Sequence, residues 1–272
     1  MAYESKIQWT ETTWNPWHGC KKVSPGCKFC YMYRDKERYG QDPSTVLRSK
    51  SSFNAPLRWD KPRLIFTCSW SDWFIEEADE WRAEAWEVIR QTPQHTYQIL
   101  TKRPERIMDC LPPDWGDGYD NVWMGVSIEG QDQVHRMGAL DRIPAKTKFL
   151  SLEPLIAPVD LYSLMTNYPT FDDPGNCGEP VLWGIDWVII GGESGNESGK
   201  YRYRPCSQKW IKNIILQCKN KYADIPVFVK QLGAYLSKEL FLKDRHGGDI
   251  NEWPEYLRVR EMPKVYHAKL EN

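Results

Sequence analysis

Seven short apolar runs recur along the chain: Ile7–Thr10, Leu64–Thr67, Tyr97–Leu100, Val122–Val126, Lys148–Ser151, Trp187–Ile190 and Val227–Val229. They are rich in β-branched and aromatic residues and lack a clean polar alternation, which is how strands covered on both faces read. Between them the period changes. From Glu76 to Arg90, the residues Ala78, Trp81, Ala85, Trp86 and Ile89 fall at helical spacing, and from Gln208 to Cys218 so do Trp210, Ile211, Ile214, Ile215 and Cys218. Strands alternating with helices predict an α/β fold with a parallel sheet, either doubly wound or closed into a partial or near-complete β/α barrel. No shift of composition marks a boundary, so a single domain over residues 1–272 is expected, with a cysteine-bearing loop at 18–31 and an irregular tail from about residue 243. Two turn-rich interruptions, Pro112–Gly118 and Thr166–Glu179, read as surface decoration or lids.

Charge changes the picture little. The formal net charge of −1 creates no global field for polyanions, so a nucleic-acid partner would need a local patch. One basic-aromatic stretch, Lys200-Tyr201-Arg202-Tyr203-Arg204 with Lys209 and Lys212, has the interleaving that suits a phosphate backbone and stacked bases. Most of the 14 Trp and 14 Tyr are expected in the core, where large rings usually lie. No apolar run reaches the roughly 18 residues of a membrane helix, and the N-terminus lacks signal-peptide grammar. A cytoplasmic protein without a membrane partner is therefore expected. Five cysteines, Cys68, Cys110, Cys177, Cys206 and Cys218, stand singly and read as free thiols of a reducing compartment.

The other three stand together. Cys20, Cys27 and Cys30 lie on one Gly/Pro-containing loop, and three thiolates on a short loop can converge on one inorganic centre. Spacing alone admits two centres. With His18 the set makes a closed Cys3His zinc site; without it, three thiolates on a [4Fe–4S] cluster, which normally takes four, leave one iron open.

The pair Cys27 and Cys30, separated by two residues with Phe29 before the last thiol, resembles the second half of the cluster motif of radical S-adenosylmethionine enzymes. The usual loop has three residues between the first two cysteines, and this one has six. The chain is similar to a phage-associated radical-SAM-like family whose pattern runs from Trp14-Asn15-Pro16 to Trp253-Pro254 and Leu257-Arg258-Val259-Arg260. The likeness includes Leu100–Pro104, Ser151–Leu155, Gly191–Gly195 and Val229–Gly233. It implies a β/α barrel of the radical SAM type, a [4Fe–4S] cluster on Cys20, Cys27 and Cys30, S-adenosylmethionine as cofactor and an external electron donor; the family's substrate is not implied, and a nucleic acid or nucleotide is a candidate from the basic-aromatic stretch alone.

In β/α folds the site gathers at the carboxyl ends of the strands. The exits read Cys68–Asp72, Thr101-Lys102-Arg103, Ser127-Ile128-Glu129, Leu152-Glu153-Pro154, Gly191-Gly192-Glu193-Ser194 and Lys230-Gln231. Helix caps account for many such residues one at a time; their recurrence at six exits points to a site. Given the implied cofactor, Lys102 or Arg103 suits its carboxylate, Ser127 and Glu129 its ribose, and Glu153 or Glu193 an ammonium or substrate amine. Phe29 and Ser194 complete the cofactor candidates, and Cys68, Glu153 and Glu193 are the catalytic ones, with Cys68 a hydrogen-atom donor. Gly191-Gly192-Glu193 resembles the Gly-Gly-Glu element of radical SAM enzymes but follows the sixth strand instead of the second, so its role is not carried over; a tight glycine turn is the plainer reading. The stretch lacks a Walker lysine and is not Gly-x-Ser-x-Gly. Two rivals remain: a zinc or iron–sulfur nucleic-acid-binding protein without catalysis, and a zinc-dependent hydrolase using His18.

Overall fold

Backbone amides enclosed by apolar side chains must find partners within a sheet. In the computed structural model, which describes residues 4–163, 182, 184–220 and 223–265, six of the seven apolar runs do so as parallel strands. The chain divides into two compact units. One comprises Met1–Val126, Ile143–Thr147 and Ser198–Arg202, the other Ser127–Arg142, Lys148–Glu197 and Tyr203–Asn272.

The first unit runs β1 (Thr12–Trp14), β2 (Trp17–His18), α1 (Tyr31–Arg38), β3 (Leu47–Arg48), β4 (Leu64–Thr67), α2 (Asp79–Gln91), β5 (Thr96–Thr101) and β6 (Val122–Ser127). Strands β1, β4, β5 and β6 lie side by side in that order, all parallel, with Thr12 opposite Ile65, Leu64 opposite Thr96 and Tyr97 opposite Val122. Every residue of β4 and β6 is buried, as runs without alternation require. Helix α2 buries Ala85, Trp86, Val88 and Ile89 along one stripe. The short strands β2 and β3 form a separate antiparallel pair with His18 opposite Leu47.

Tryptophans hold this unit together. Trp14, Trp17 and Trp86 each place their ring 5.0–5.7 Å from that of Trp73, and Trp86 continues to Trp115 at 5.3 Å. Four of the five indole N–H groups donate to backbone carbonyls, Trp14 to Phe53, Trp17 to Asp72, Trp86 to Cys110 and Trp115 to Pro144, while that of Trp73 has no partner among the described residues. Such rings combine a large buried area with a polar edge that finds a partner. Trp115 belongs to the interruption Pro112–Gly118, so that otherwise largely exposed segment is anchored in the core by one ring.

One run was misplaced. Ile7–Thr10 is not a strand: Thr10 N–H closes a turn on the Ile7 carbonyl, and pairing begins only where Glu11 N–H meets the Leu64 carbonyl. The ring of Trp9 reaches Phe66, 4.7 Å away, from that turn, so the apolar signal was real but the backbone was not extended.

The second unit runs α3 (His135–Asp141), β7 (Thr147–Leu152), β8 (Trp187–Gly191), α4 (Gln208–Cys218), β9 (Lys219–Asn220), β10 (Ala223–Asp224), β11 (Val227–Gln231) and α5 (Gly233–Glu239). Strands β7, β8 and β11 are adjacent and parallel. The C-terminal tail lies antiparallel on the outer side of β11, with Val229 N–H to the Val259 carbonyl and Glu261 N–H to the Val227 carbonyl, both 2.8 Å. The guanidinium of Arg260 covers the rings of Trp253 and Phe228 at 4.9 and 5.5 Å. The interruption Thr166–Glu179 and Cys177 lie outside the described residues.

Gly192 explains part of the glycine-rich exit of β8. A Cβ there would stand 2.1 Å from the Leu232 carbonyl oxygen, and Gly233, at φ +85°, faces it. Two backbones meet where no side chain fits. Gly192→Ala is expected to destabilise the protein by about 1–3 kcal/mol through overpacking, seen as a lower urea midpoint; an unchanged midpoint would contradict the close approach.

Candidate metal centre and strand-exit residues

The cysteine loop is pinned at both ends. Its start follows β2, where Gly19 at φ +100° passes so close to Thr45 that a Cβ would lie 2.1 Å from that residue's carbonyl oxygen. Gly19 N–H donates to the Trp70 carbonyl (2.9 Å), the Ser71 hydroxyl donates to the Gly19 carbonyl (2.6 Å), and Cys20 N–H donates to the Pro43 carbonyl (3.0 Å). Cys20 is thereby fixed against the loop leaving β4. A 3-10 turn, Pro25–Cys27, carries the second cysteine, and Cys30 occupies the N-cap of α1. The Tyr33 hydroxyl, one turn into α1, donates back to the Cys20 carbonyl and closes the loop. All three thiols are half-buried and unbridged, and Phe29 lies beneath the Lys28 ammonium.

Their electrostatics place them in one neighbourhood. Burial, then the Asp72 carboxylate, push the Cys20 thiol up to about 12 against the opposing pull of Arg103, and Cys27 adds to the rise. Burial raises Cys30, opposed by the amides of Met32 and Tyr33 and by Lys102, while Cys27 again adds to the rise. After burial, all three thiols contribute to lifting the Tyr33 hydroxyl to about 12. Yet among the described residues no three His, Cys, Asp or Glu side chains converge closely enough for one metal ion. A tetrahedral zinc with bonds of about 2.3 Å needs its sulfurs about 3.8 Å apart. A cluster puts each thiolate on a different iron and accepts a wider triangle. His18 does not join the thiols: its ring is lowered by burial and then by Lys36, and its Nδ1 is buried without a partner. By its chemistry the donor set, three unbridged thiols on one loop, suits thiolate ligation of a zinc ion or of an iron–sulfur group alike.

Asp72 organises the neighbouring exits. Its carboxylate accepts from the Thr101 hydroxyl (2.7 Å) and from the backbone N–H groups of Lys102 and Phe74 (3.0 Å each), and lies 3.2 Å from the Arg103 guanidinium. Arg103 also donates to the Lys21 carbonyl at 2.8 Å and reaches the Cys20 sulfur at 3.9 Å. Its cation is thus directed at the cysteine loop, and Lys102 adds a second positive charge near Cys30. Cys68 sits at the exit of β4 with φ +54°, its N–H on the Trp14 carbonyl. Burial, Asp72 and Cys20 raise its thiol well above the ordinary range. The first unit therefore gathers Cys20, Cys68, Lys102 and Arg103 around a carboxylate that the sequence shows but does not single out, with Cys27, Phe29 and Cys30 on the same loop as Cys20.

The second unit holds the remaining candidates, each carboxylate matched by a cation. Glu129, fully buried, pairs with Arg136 at 3.0 Å; Glu153 with Lys230 at 2.5 Å; and Glu193 with Arg204 through a fork of 2.8 and 2.6 Å plus the Arg204 N–H at 2.9 Å. Gly191 leaves room for the Glu153 carboxyl, 3.0 Å from where a Cβ would stand. The Ser127 hydroxyl is buried with no partner, whereas Ser194 is exposed. Arg136 and Arg204 were missed because nothing in their local sequence announces a carboxylate seven or eleven residues earlier.

Breaking a buried pair leaves one charge uncompensated. Arg103→Met is expected to cost about 3–5 kcal/mol in urea unfolding of the metal-free protein, and Arg103→Lys to recover only part of it, since an ammonium cannot serve Asp72, Lys21 and Cys20 together. Equal stability of all three proteins would refute this role.

Among the described residues no helix is long and apolar enough to cross a membrane. No curated protein and no solved structure matches the chain. A family model described as "Protein of unknown function (DUF5131)" matches residues 4–265, a span that takes in the cysteine loop, all the parallel strands and the tail on β11. The chain belongs to that family.

Proposed function

We propose that the protein is a radical S-adenosylmethionine enzyme, an oxidoreductase or lyase, in which Cys20, Cys27 and Cys30 hold a [4Fe–4S] cluster with one iron left for S-adenosylmethionine. The observation that carries this reading is the pinned loop itself: three half-buried, unbridged thiols on one short segment, with Cys27 in electrostatic range of both Cys20 and Cys30. When bound and reduced by an external donor, a cluster of this kind supplies the electron that cleaves a sulfonium carbon–sulfur bond. The parallel strands are the elements of a partial β/α barrel of the radical SAM type, and unbridged thiols suit a reducing cytoplasm.

The chain's own residues supply charge and position. Arg103 beside Cys20 and Lys102 beside Cys30 favour the thiolate forms that iron requires. Arg103 is held by Asp72 and faces the cysteine loop, which leaves Lys102 as the cation for the cofactor's carboxylate. Within the second unit Glu129 and Glu193 are bound into ion pairs with arginine, and Glu153 forms a half-buried pair with Lys230. Cys68 keeps its proton because its thiol is raised, the state a hydrogen-atom donor needs.

Anaerobic purification followed by iron and sulfide analysis tests the reading: about four irons per chain are expected, with 5′-deoxyadenosine released on reduction in the presence of S-adenosylmethionine. One zinc without iron would overturn it. Cys30→Ala should lose the visible chromophore while Cys110→Ala, whose thiol lies apart beside Arg106, retains it.

A further inference from the structure

The segment from Cys20 to Arg38 is far more basic than the chain around it. It holds Lys21, Lys22, Lys28, Arg34, Lys36 and Arg38 against Asp35 and Glu37 alone, in a protein of net charge −1. Some of these charges are matched: Lys21 by Glu77, Arg34 by Asp35, and Glu37 by Lys200. Lys36 is buried. Lys22, Lys28 and Arg38 are exposed and have no carboxylate partner among the described residues.

Aromatic rings are interleaved with them. The Lys22 ammonium lies 4.4 Å from the Tyr33 ring centre, held there by its bond to the Lys28 carbonyl, and Lys28 lies 5.3 Å from the Phe29 ring. Tyr31 and Tyr39 are 42% and 71% exposed, whereas most indoles of this unit are in the core. The stretch Lys200–Arg204, which has the same composition, is less available: Lys200 is paired with Glu37 and Arg204 with Glu193.

On the reading of this loop as a cluster site, we propose that the cysteine loop and α1 form a docking surface for single-stranded nucleic acid, and that the enzyme's substrate is a nucleotide within such a strand. The exposed cations Lys22, Lys28 and Arg38 offer partners for phosphates, and the exposed rings of Tyr31 and Tyr39 offer platforms for bases. A duplex hides its base faces in the stack and leaves the rings unused. An acidic peptide would satisfy the cations but offers nothing planar to the rings.

The test is fluorescence anisotropy of a fluorescein-labelled twelve-nucleotide thymidine strand with the anaerobically purified, iron-loaded protein, titrated with salt. The pair K22Q/K28Q should bind at least roughly tenfold more weakly, and its log–log salt slope should be shallower by about 1.4, because single strands lose about 0.7 per phosphate contact. Tyr39→Leu should weaken binding by roughly tenfold with the slope unchanged, the signature of a lost stacking face. Lys212→Gln, in the other unit beside Tyr256, should bind as the parent does. No binding by a protein carrying its irons, an equal affinity for the duplex, displacement by polyglutamate as effective as by unlabelled strand, or an unaltered slope in K22Q/K28Q would each overturn the docking surface. Tight, slope-dependent binding by a protein that takes up no iron would leave the surface standing and remove the cluster.

Discussion

A buried carboxylate is tolerated only when donors surround it, and Asp72 has that surround. Thr101, Lys102, Phe74 and Arg103 all turn toward it, so the exits of β4 and β5 are tied to one point. Through Arg103 the same point reaches Cys20 and the Lys21 carbonyl. That charge therefore adds one more tie between the cysteine loop and the strand exits of the first unit. Its field is also felt in the thiols: it opposes ionisation of Cys20 and Cys68, while Arg103 favours it at Cys20.

The strands were legible because burial on both faces leaves an unbroken apolar run, and Leu64–Thr67 and Trp187–Ile190 carry no other message. Thr12–Trp14 was not, because two hydroxyls mask a strand whose neighbour supplies the apolar cover, and Trp9 nearby advertised burial from a turn. Helix α4 was readable to the residue, since its stripe of isoleucines begins at the Ser207 cap. Of the site, the three cysteines and the exit residues are local facts of spacing. What spacing does not carry is who faces whom: Asp72 with Arg103, Glu129 with Arg136 and Glu193 with Arg204 are encounters made by the fold.

The three ion pairs of the second unit share a logic. Each sets a carboxylate from a strand exit against a cation from another element, which holds both side chains in one geometry. The fork between Arg204 and Glu193 also fixes the segment that follows β8, and Gly192 lets that segment pass the start of α5 at backbone contact. Glycine and ion pair act together there, one permitting the approach and the other holding it.

Strand β11 ends its ladder, and a terminal parallel strand presents a row of amides that any foreign β-segment can join. Residues 259–261 occupy that row in antiparallel sense, with Arg260 clamped over Phe228 and Trp253. The tail is thus a built-in stopper against self-association: a chain trimmed before Val259 would keep its cysteine loop intact and lose, first of all, its solubility.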